Sequence, residues 1–249
     1  MCVTAILYRT AQDAPILLAS NREELLERAS QSPRIQSGKP RVICGIDRKA
    51  GGTWLGVNQH GLLVVVSNRR KTYMPAEPRS RGLLCRELLN AADAREASQL
   101  AAQELSTGRY AGANYVCLDA QQGFVIYGGD HVEVTEMEPG LHVLTNGSMD
   151  DPNDARQQLT RRLLTLHNLD SAVTFLAVAS RAFSRKADAE GQWGLVFQKG
   201  DYGTVSSTLV SLPHRPQNAV YQYSPGPPSE HEYEDLSPFL RQVLSADRG

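Results

Sequence analysis

The sequence predicts an α+β fold, a four-layer αββα sandwich in which two antiparallel sheets carry helices on their outer sides. Three observations predict it. Strand-like and helix-like stretches come in segregated runs, in the order strands, helices, strands, helices, strands, which favours layered α+β architecture over alternating βαβ units. The 249 residues are enough for a sizeable core. No repeat, low-complexity block or linker divides them, so one domain is expected over residues 1–249, with 224–249 as a surface tail.

The elements follow from local pattern. Residues 3–8 (VTAILY) and 15–20 (PILLAS) are β-like runs joined by a polar turn, an opening hairpin. The Asn21-Arg22-Glu23-Glu24 segment after them reads as the end of the strand or as a short helical turn, whose dipole the two glutamates would complement. Residues 41–47, 53–58 and 62–68 are further strands, punctuated by Gly51-Gly52 and His60-Gly61. The period then changes. Ser80 caps a first helix, and Asp93 with Glu96 forms a capping box for a second. Strands return at 114–119, 123–128, 131–137 and 141–145. Helical patterns occupy 153–168 and 171–183, with Asp170 as a cap for the latter, and 204–212 with 218–223 make a last hairpin.

Composition excludes several classes. A formal net charge of −1 gives no overall basic character for nucleic acid. Cys2, Cys44, Cys85 and Cys117 are scattered, without the CxxC spacing of zinc sites, and suit a reducing compartment. No apolar run reaches the roughly 20 residues of a membrane span, and no basic leader precedes the first short apolar run. A cytoplasmic protein without stable membrane anchoring is expected, its oligomeric state left open.

Cys2 is the residue with the most chemistry. Methionine aminopeptidases remove Met before a small side chain, which would leave a free α-amine on the residue that carries the thiol. Such an amine has a pKa of about 7.7–8.0 and can take the thiol proton, so nucleophile and base come as one unit. Asn68 and Asn146 each end a strand and offer amide donors for an oxyanion, although Asn is also ordinary turn chemistry. Asn21, Arg22 and Arg69 are candidates for substrate contact. Trp54, within the Gly51–Gly56 segment GGTWLG, either lines a pocket or fills the core.

These pieces occur together in a known order: an initial MC, ASNREE, GGTWLGV, a strand ending in Asn, an SRG helix start, and HVLTN before DDP. In this the chain resembles the Asn-Arg-Asp-Glu (NRDE) family, also called the transport and Golgi organisation protein 2 family, over roughly residues 1–212. The resemblance implies an N-terminal-nucleophile (Ntn) hydrolase fold, distantly similar to cholylglycine hydrolases and penicillin V acylases. It implies Cys2 as nucleophile, Glu23 as the carboxylate that orients its α-amine, Asn146 as oxyanion donor, and Asn68 as a looser oxyanion match. Two departures stand out. Glu23 replaces the usual Asp, and Val205, in Tyr202-Gly203-Thr204-Val205-Ser206, stands where an Arg is expected. Arg22 or Arg69 could substitute.

Two functions follow. One is a cysteine hydrolase acting on a small amide or acyl substrate. The other is a non-catalytic module that binds or traffics haem or a lipid-like ligand on the same fold. No metal and no resident cofactor is expected.

Overall fold

Residues 2–188 and 194–246 are described by the computed structural model. The chain opens with β1 (Val3–Tyr8) and β2 (Ile16–Leu25). It continues through β3 (Ser30–Gln36), β4 (Val42–Asp47), β5 (Leu55–Asn58) and β6 (Leu63–Asn68) to the helices α1 (Arg81–Leu88) and α2 (Ala94–Ser106). Then come β7 (Ala113–Leu118), β8 (Gly123–Gly128), β9 (Val132–Glu136) and β10 (Gly140–Leu144), followed by α3 (Ala155–Leu164) and α4 (Ala172–Phe183). The short β11 (Gln198–Lys199), the long β12 (Tyr202–Leu212), β13 (Val220–Ser224), β14 (Glu234–Asp235) and α5 (Ser237–Leu244) close the chain. This is the expected α+β class with two antiparallel sheets. Met1, whose removal the small side chain at position 2 permits, lies outside the described residues.

The strands divide between two compact units, Met1–Arg28 with Pro139–Pro238 and Ala29–Glu138 with Phe239–Gly249. The first holds a sheet ordered β10-β1-β2-β12-β13-β14, with β11 paired to β12. Its helices α3 and α4 cover one face. Val3, Ala5, Leu7, Leu17, Ala19 and Leu209 from the sheet pack there with Leu164, Phe175, Ala179 and Phe183. The second holds a sheet ordered β3-β4-β5-β6-β7-β8-β9. Cys44, Val64, Tyr115 and Cys117 pack there with Leu84, Cys85, Leu88 and Ala101 of α1 and α2.

Helix starts follow their caps. Ser80 Oγ accepts from the Leu83 N–H at 3.3 Å, and Asp93 Oδ1 accepts from Glu96 N at 2.9 Å while Glu96 reaches back to Ala92 N at 2.7 Å. α4 is capped by Ser171, not Asp170, because Ser171 Oγ accepts from Thr174 N. The Asn-Arg-Glu-Glu segment is not a helical turn: β2 runs through it to Leu25, held by β12 in a register from Tyr202↔Leu25 to Leu212↔Ile16. Residues 30–36 pair with β4 as an additional strand with a register shift near Pro33. Within the predicted tail, α5 buries Leu240 and Val243 completely, and Phe239 lies 5.6 Å from the Arg34 guanidinium.

The GGTWLG segment is a packing device of the second unit. A Cβ on Gly52 would sit 2.2 Å from the Gly82 backbone at the start of α1, and Thr53 N donates to Gly82 O at 2.9 Å. The Trp54 ring lies against Gly45, whose added Cβ would meet it at 2.4 Å. Gly52→Ala therefore forces β5 and α1 apart. A loss of about 1–3 kcal/mol of stability is expected, measured by urea unfolding, whereas Gly61→Ala, in open space, should pay only for its positive φ.

Candidate active site

Strand register builds the site. β1 lies between β2 and β10, pairing Thr4 with Ser20 on one side and with Leu144 on the other. Side chains alternate between the faces of a sheet. Val3, Ala5 and Leu7 point to the helix-covered face, so Thr4 and Cys2 belong to the opposite one. The Thr4 and Ser20 hydroxyls meet there at 2.8 Å. Carrying the register one residue past Val3 sets Arg22 beside Cys2 on β2. Ser206 of β12 pairs with Arg22. One row thus lies on one face, Cys2, Arg22 and Ser206, while on the other side of β1 the ladder ends at Leu144 and Asn146 lies two residues on, in the bend that follows β10. The next row, Leu144, Thr4, Ser20 and Thr208, is again largely polar. Burial of Thr4, Ser20, Arg22, Ser206 and Thr208 is unusual for such residues and marks this sheet end as something other than core. Asn146 itself is half-buried, and its enclosed side-chain oxygen has no hydrogen-bond partner among the described residues.

Cys2 remains partly exposed, although protein atoms crowd its sulfur. Burial pushes the thiol above its ordinary value, and the Glu23 carboxylate pushes it further. A hydrogen bond from the Glu23 backbone and the charge of Arg22 pull in the other direction. The other three thiols are fully buried and have raised pKa values, Cys44 being pushed by burial to about 11.

Glu23 lies on the helix-covered side, with its side chain fully enclosed. Both of its carboxylate oxygens accept from Arg156 in α3, Oε2 at 2.8 Å from Nη1 and Oε1 from Nη2. Arg156 also donates to Leu195 O at 3.0 Å, and its guanidinium lies 5.1 Å from the Phe197 ring centroid. The Tyr202 hydroxyl donates to the Glu23 carbonyl at 2.8 Å. Breaking such a buried pair from one side typically costs about 3–5 kcal/mol. Asn21 also faces the helices, its amide donating to Phe183 O and Leu195 O at 3.0 Å. It ties β2 to the end of α4.

The first turn of α3 also holds the Asn146 segment. Thr145 Oγ1 donates to Asp154 Oδ2 at 2.5 Å, and Gln157 Nε2 donates to Ser148 O at 2.8 Å and to Thr145 Oγ1 at 3.1 Å. Beyond it, Asp150 accepts from Val143 N at 2.8 Å, faces His142 Nδ1 at 2.7 Å and pairs with Arg161 at 2.5 Å.

The structure places Cys2 and Arg22 on one row, with Asn146 in the bend just past the neighbouring β10 and Glu23 next in sequence to Arg22 on the other face. Asn68, Trp54 and Arg69 belong to the second unit. Asn68 is exposed at the end of β6, and Arg69 contacts Asn114 Oδ1 at 3.2 Å and the Tyr127 ring at 4.8 Å. Among the described residues, no cluster of three or more His, Cys, Asp or Glu could hold a metal ion. The sequence does not single out Arg156, Tyr202 or Ser206. Arg156 did leave a signal: a cation two residues after the helix cap Asp154 opposes the helix dipole, which implies a carboxylate partner.

A family model described as Transport and Golgi organisation 2 matches residues 1–222. The chain belongs to that family. The family member is 30% identical over 145 residues to the Transport and Golgi organization protein 2 homolog of Bos taurus, a match covering 55% of this chain and 52% of that protein. The Homo sapiens homolog is 28% identical over the same shares. The matched stretch thus spans about half the length of these curated relatives. Among solved structures, it is similar to a Caenorhabditis elegans N-acylethanolamine-hydrolyzing acid amidase ortholog, with a TM-score of 0.55 and 16% identity, covering 84% of this chain and 92% of that one. It is also similar to penicillin V acylase from Agrobacterium tumefaciens, with a TM-score of 0.54 and 13% identity, covering 89% and 82%. A C2A mutant of conjugated bile acid hydrolase from Clostridium perfringens gives a TM-score of 0.51 at 11% identity, covering 96% and 93%. The fold of this family member is that of the Ntn hydrolases.

Asp154 combines the α3 cap, accepting from Arg156 N at 2.9 Å and Gln157 N at 3.1 Å, with the Thr145 contact. Asp154→Ala is expected to cost about 1–2 kcal/mol in chemical denaturation, and Asp154→Asn, which retains a capping oxygen, clearly less.

Proposed function

We propose that this chain, once Met1 is removed, is an N-terminal-cysteine hydrolase acting on a small amide or acyl substrate. The observation that supports it most is the row Cys2–Arg22–Ser206, which sets a thiol at a strand start beside a guanidinium, with the amide of Asn146 in the bend that follows the strand on its other side. With Met1 removed, the α-amine stands on the residue that carries the thiol, within reach of its proton. That amine takes the proton as sulfur attacks the carbonyl carbon. Asn146 and Arg22 face the developing oxyanion. The C–N bond then breaks, and the ammonium returns the proton to the leaving amine. Water attacks the thioester in turn, giving the acid and restoring the thiol. The amidase and acylase with which the fold is shared supply the substrate class. A binding module for haem or a lipid-like ligand is the alternative, supported by Val205 at the place of the expected Arg.

The test uses Met1-processed protein, confirmed by intact mass, with p-nitrophenyl esters and simple N-acyl amides. The expected result is an acyl adduct on the Cys2 peptide, its absence in Cys2→Ala, and a fall of about 100-fold or more in turnover for Asn146→Ala. Equal turnover by Cys2→Ala would sink the proposal. Ligand binding with no adduct and no turnover would favour the module instead. Because Cys44, Cys85 and Cys117 are buried, native alkylation reports on Cys2 alone.

A further inference from the structure

The residue missing from the expected pattern is an arginine at position 205. In β12, Thr204 pairs with Glu23 and Ser206 pairs with Arg22, so Val205 is the extra residue of a β-bulge between them. A side chain there would stand next to Glu23 and Arg22, and Val205 brings no charge to that place. A guanidinium nevertheless meets the Glu23 carboxylate, arriving from α3.

We propose that Arg156 is a positioning residue of the Cys2 site, supplying from a helix the guanidinium that position 205 lacks and acting through Glu23. The inference rests on the reading of Cys2 as the nucleophile. Four contacts support it. Both terminal nitrogens of Arg156 hold the Glu23 carboxylate, a fork that fixes its plane as well as its charge. The fork is itself held by Leu195 O and the Phe197 ring. The Glu23 backbone bonds to the Cys2 sulfur, and the Glu23 charge acts on it. The Tyr202 hydroxyl fixes the Glu23 carbonyl. Among the described residues, the charged or titratable groups around Cys2 are therefore Arg22 and Glu23 from β2, Tyr202 from β12 and Arg156 from α3, joined after removal of Met1 by the α-amine of Cys2 itself, which titrates at about 7.7–8.0 when unperturbed. The same helical turn braces the Asn146 segment through Asp154 and Gln157. Both flanks of Cys2 are thus referred to one rigid element.

In electrostatic terms, Arg156 neutralises a buried carboxylate that otherwise opposes ionisation of the neighbouring thiol. Replacing it by a neutral side chain should make Cys2 harder to deprotonate. Replacing Glu23 instead should make it easier. A brace that only secures α3 would do neither.

The experiment is a pH titration of the Cys2 Cβ resonance by NMR in Met1-processed, 13C-cysteine-labelled protein, assigned with Cys2→Ser. Arg156→Met is expected to raise the Cys2 midpoint by about one pH unit or more. Arg156→Lys should bring most of it back, and the double variant Glu23→Gln/Arg156→Met should return it towards wild type. Glu23→Gln alone, which keeps a hydrogen-bonding amide beside Arg156 and should fold even if Arg156→Met does not, is expected to lower the midpoint. Unchanged midpoints in the variants that fold, with only thermal stability reduced, would overturn the proposal. The Cβ resonance follows both the thiol and the α-amine of Cys2, and the amine step is located separately on the Cys2 α-nitrogen by 15N labelling, so the remaining step reads the sulfur whether or not an acyl group is ever turned over. A failure of the hydrolase reading, seen as turnover that survives Cys2→Ala, is therefore distinct from a failure of this one.

Discussion

The pairing of β1 on both sides is the constraint from which the rest of the site follows. A strand hydrogen-bonded to two neighbours cannot rotate or slip without breaking both ladders, and a slip of one residue would exchange its faces. β1 is buried along its whole length, and Val3, Ala5 and Leu7 are committed to the helix-covered core. The position of Cys2 is then settled by parity. It shares a face with Thr4, and its neighbours are whatever β2 and β10 present at the same level. The core residues of a short apolar strand thereby aim a side chain that is not part of the core.

The two faces at this sheet end do different work. The Cys2 face carries small hydroxyls, an amide and Arg22. The helix face carries an ion pair, Glu23 with Arg156, enclosed among apolar side chains. Local preferences are violated on both. Hydroxyls and an arginine are buried, and a cation sits in the first turn of a helix against the dipole, a conflict of about 0.3–1 kcal/mol. The enclosed carboxylate more than offsets that conflict, because Glu23 without a cation would be a buried, uncompensated charge. Departures from local rules gather where a site is expected to be.

That distribution decides what was legible in the sequence. The caps Ser80 and Asp93, the hairpin of residues 3–20 and the segregated runs are local signals, and they appear where the pattern puts them. The extension of β2 through Asn21 and Glu24 was legible only as one of two readings, strand end or helical turn, since those residues have turn-like character and only β12, some 180 residues later, makes them a strand. β3 hides behind Pro33, and α5 behind the proline-rich stretch that precedes it. Of the site, Cys2 could be named from its place after Met1 and Asn146 from the strand end it follows, with the family resemblance supplying their roles; Asn68 carries the same strand-end signal but belongs to the second unit. Arg156 could not be assigned a role, because its partner Glu23 is 133 residues away and only the fold brings them together. Trp54 and the glycines around it carry a local signal whose meaning is packing: Gly52 admits the backbone of α1.

The two departures from the family pattern, Glu23 for Asp and Val205 for Arg, are coupled on this view. An Asp at position 23 would withdraw its carboxylate by about one C–C bond, roughly 1.5 Å, out of the fork that Arg156 presents from α3. It would then need a cation closer to its own strand, and position 205, in the β12 bulge next to the residue that pairs with position 23, is where such a cation could stand. A Glu reaches the helix instead and releases position 205 from that duty, so an uncharged Val can occupy the bulge. On the proposed role of Arg156, the longer carboxylate and the uncharged bulge residue belong to one arrangement, in which the neutralising charge comes from a helix rather than from the adjacent strand.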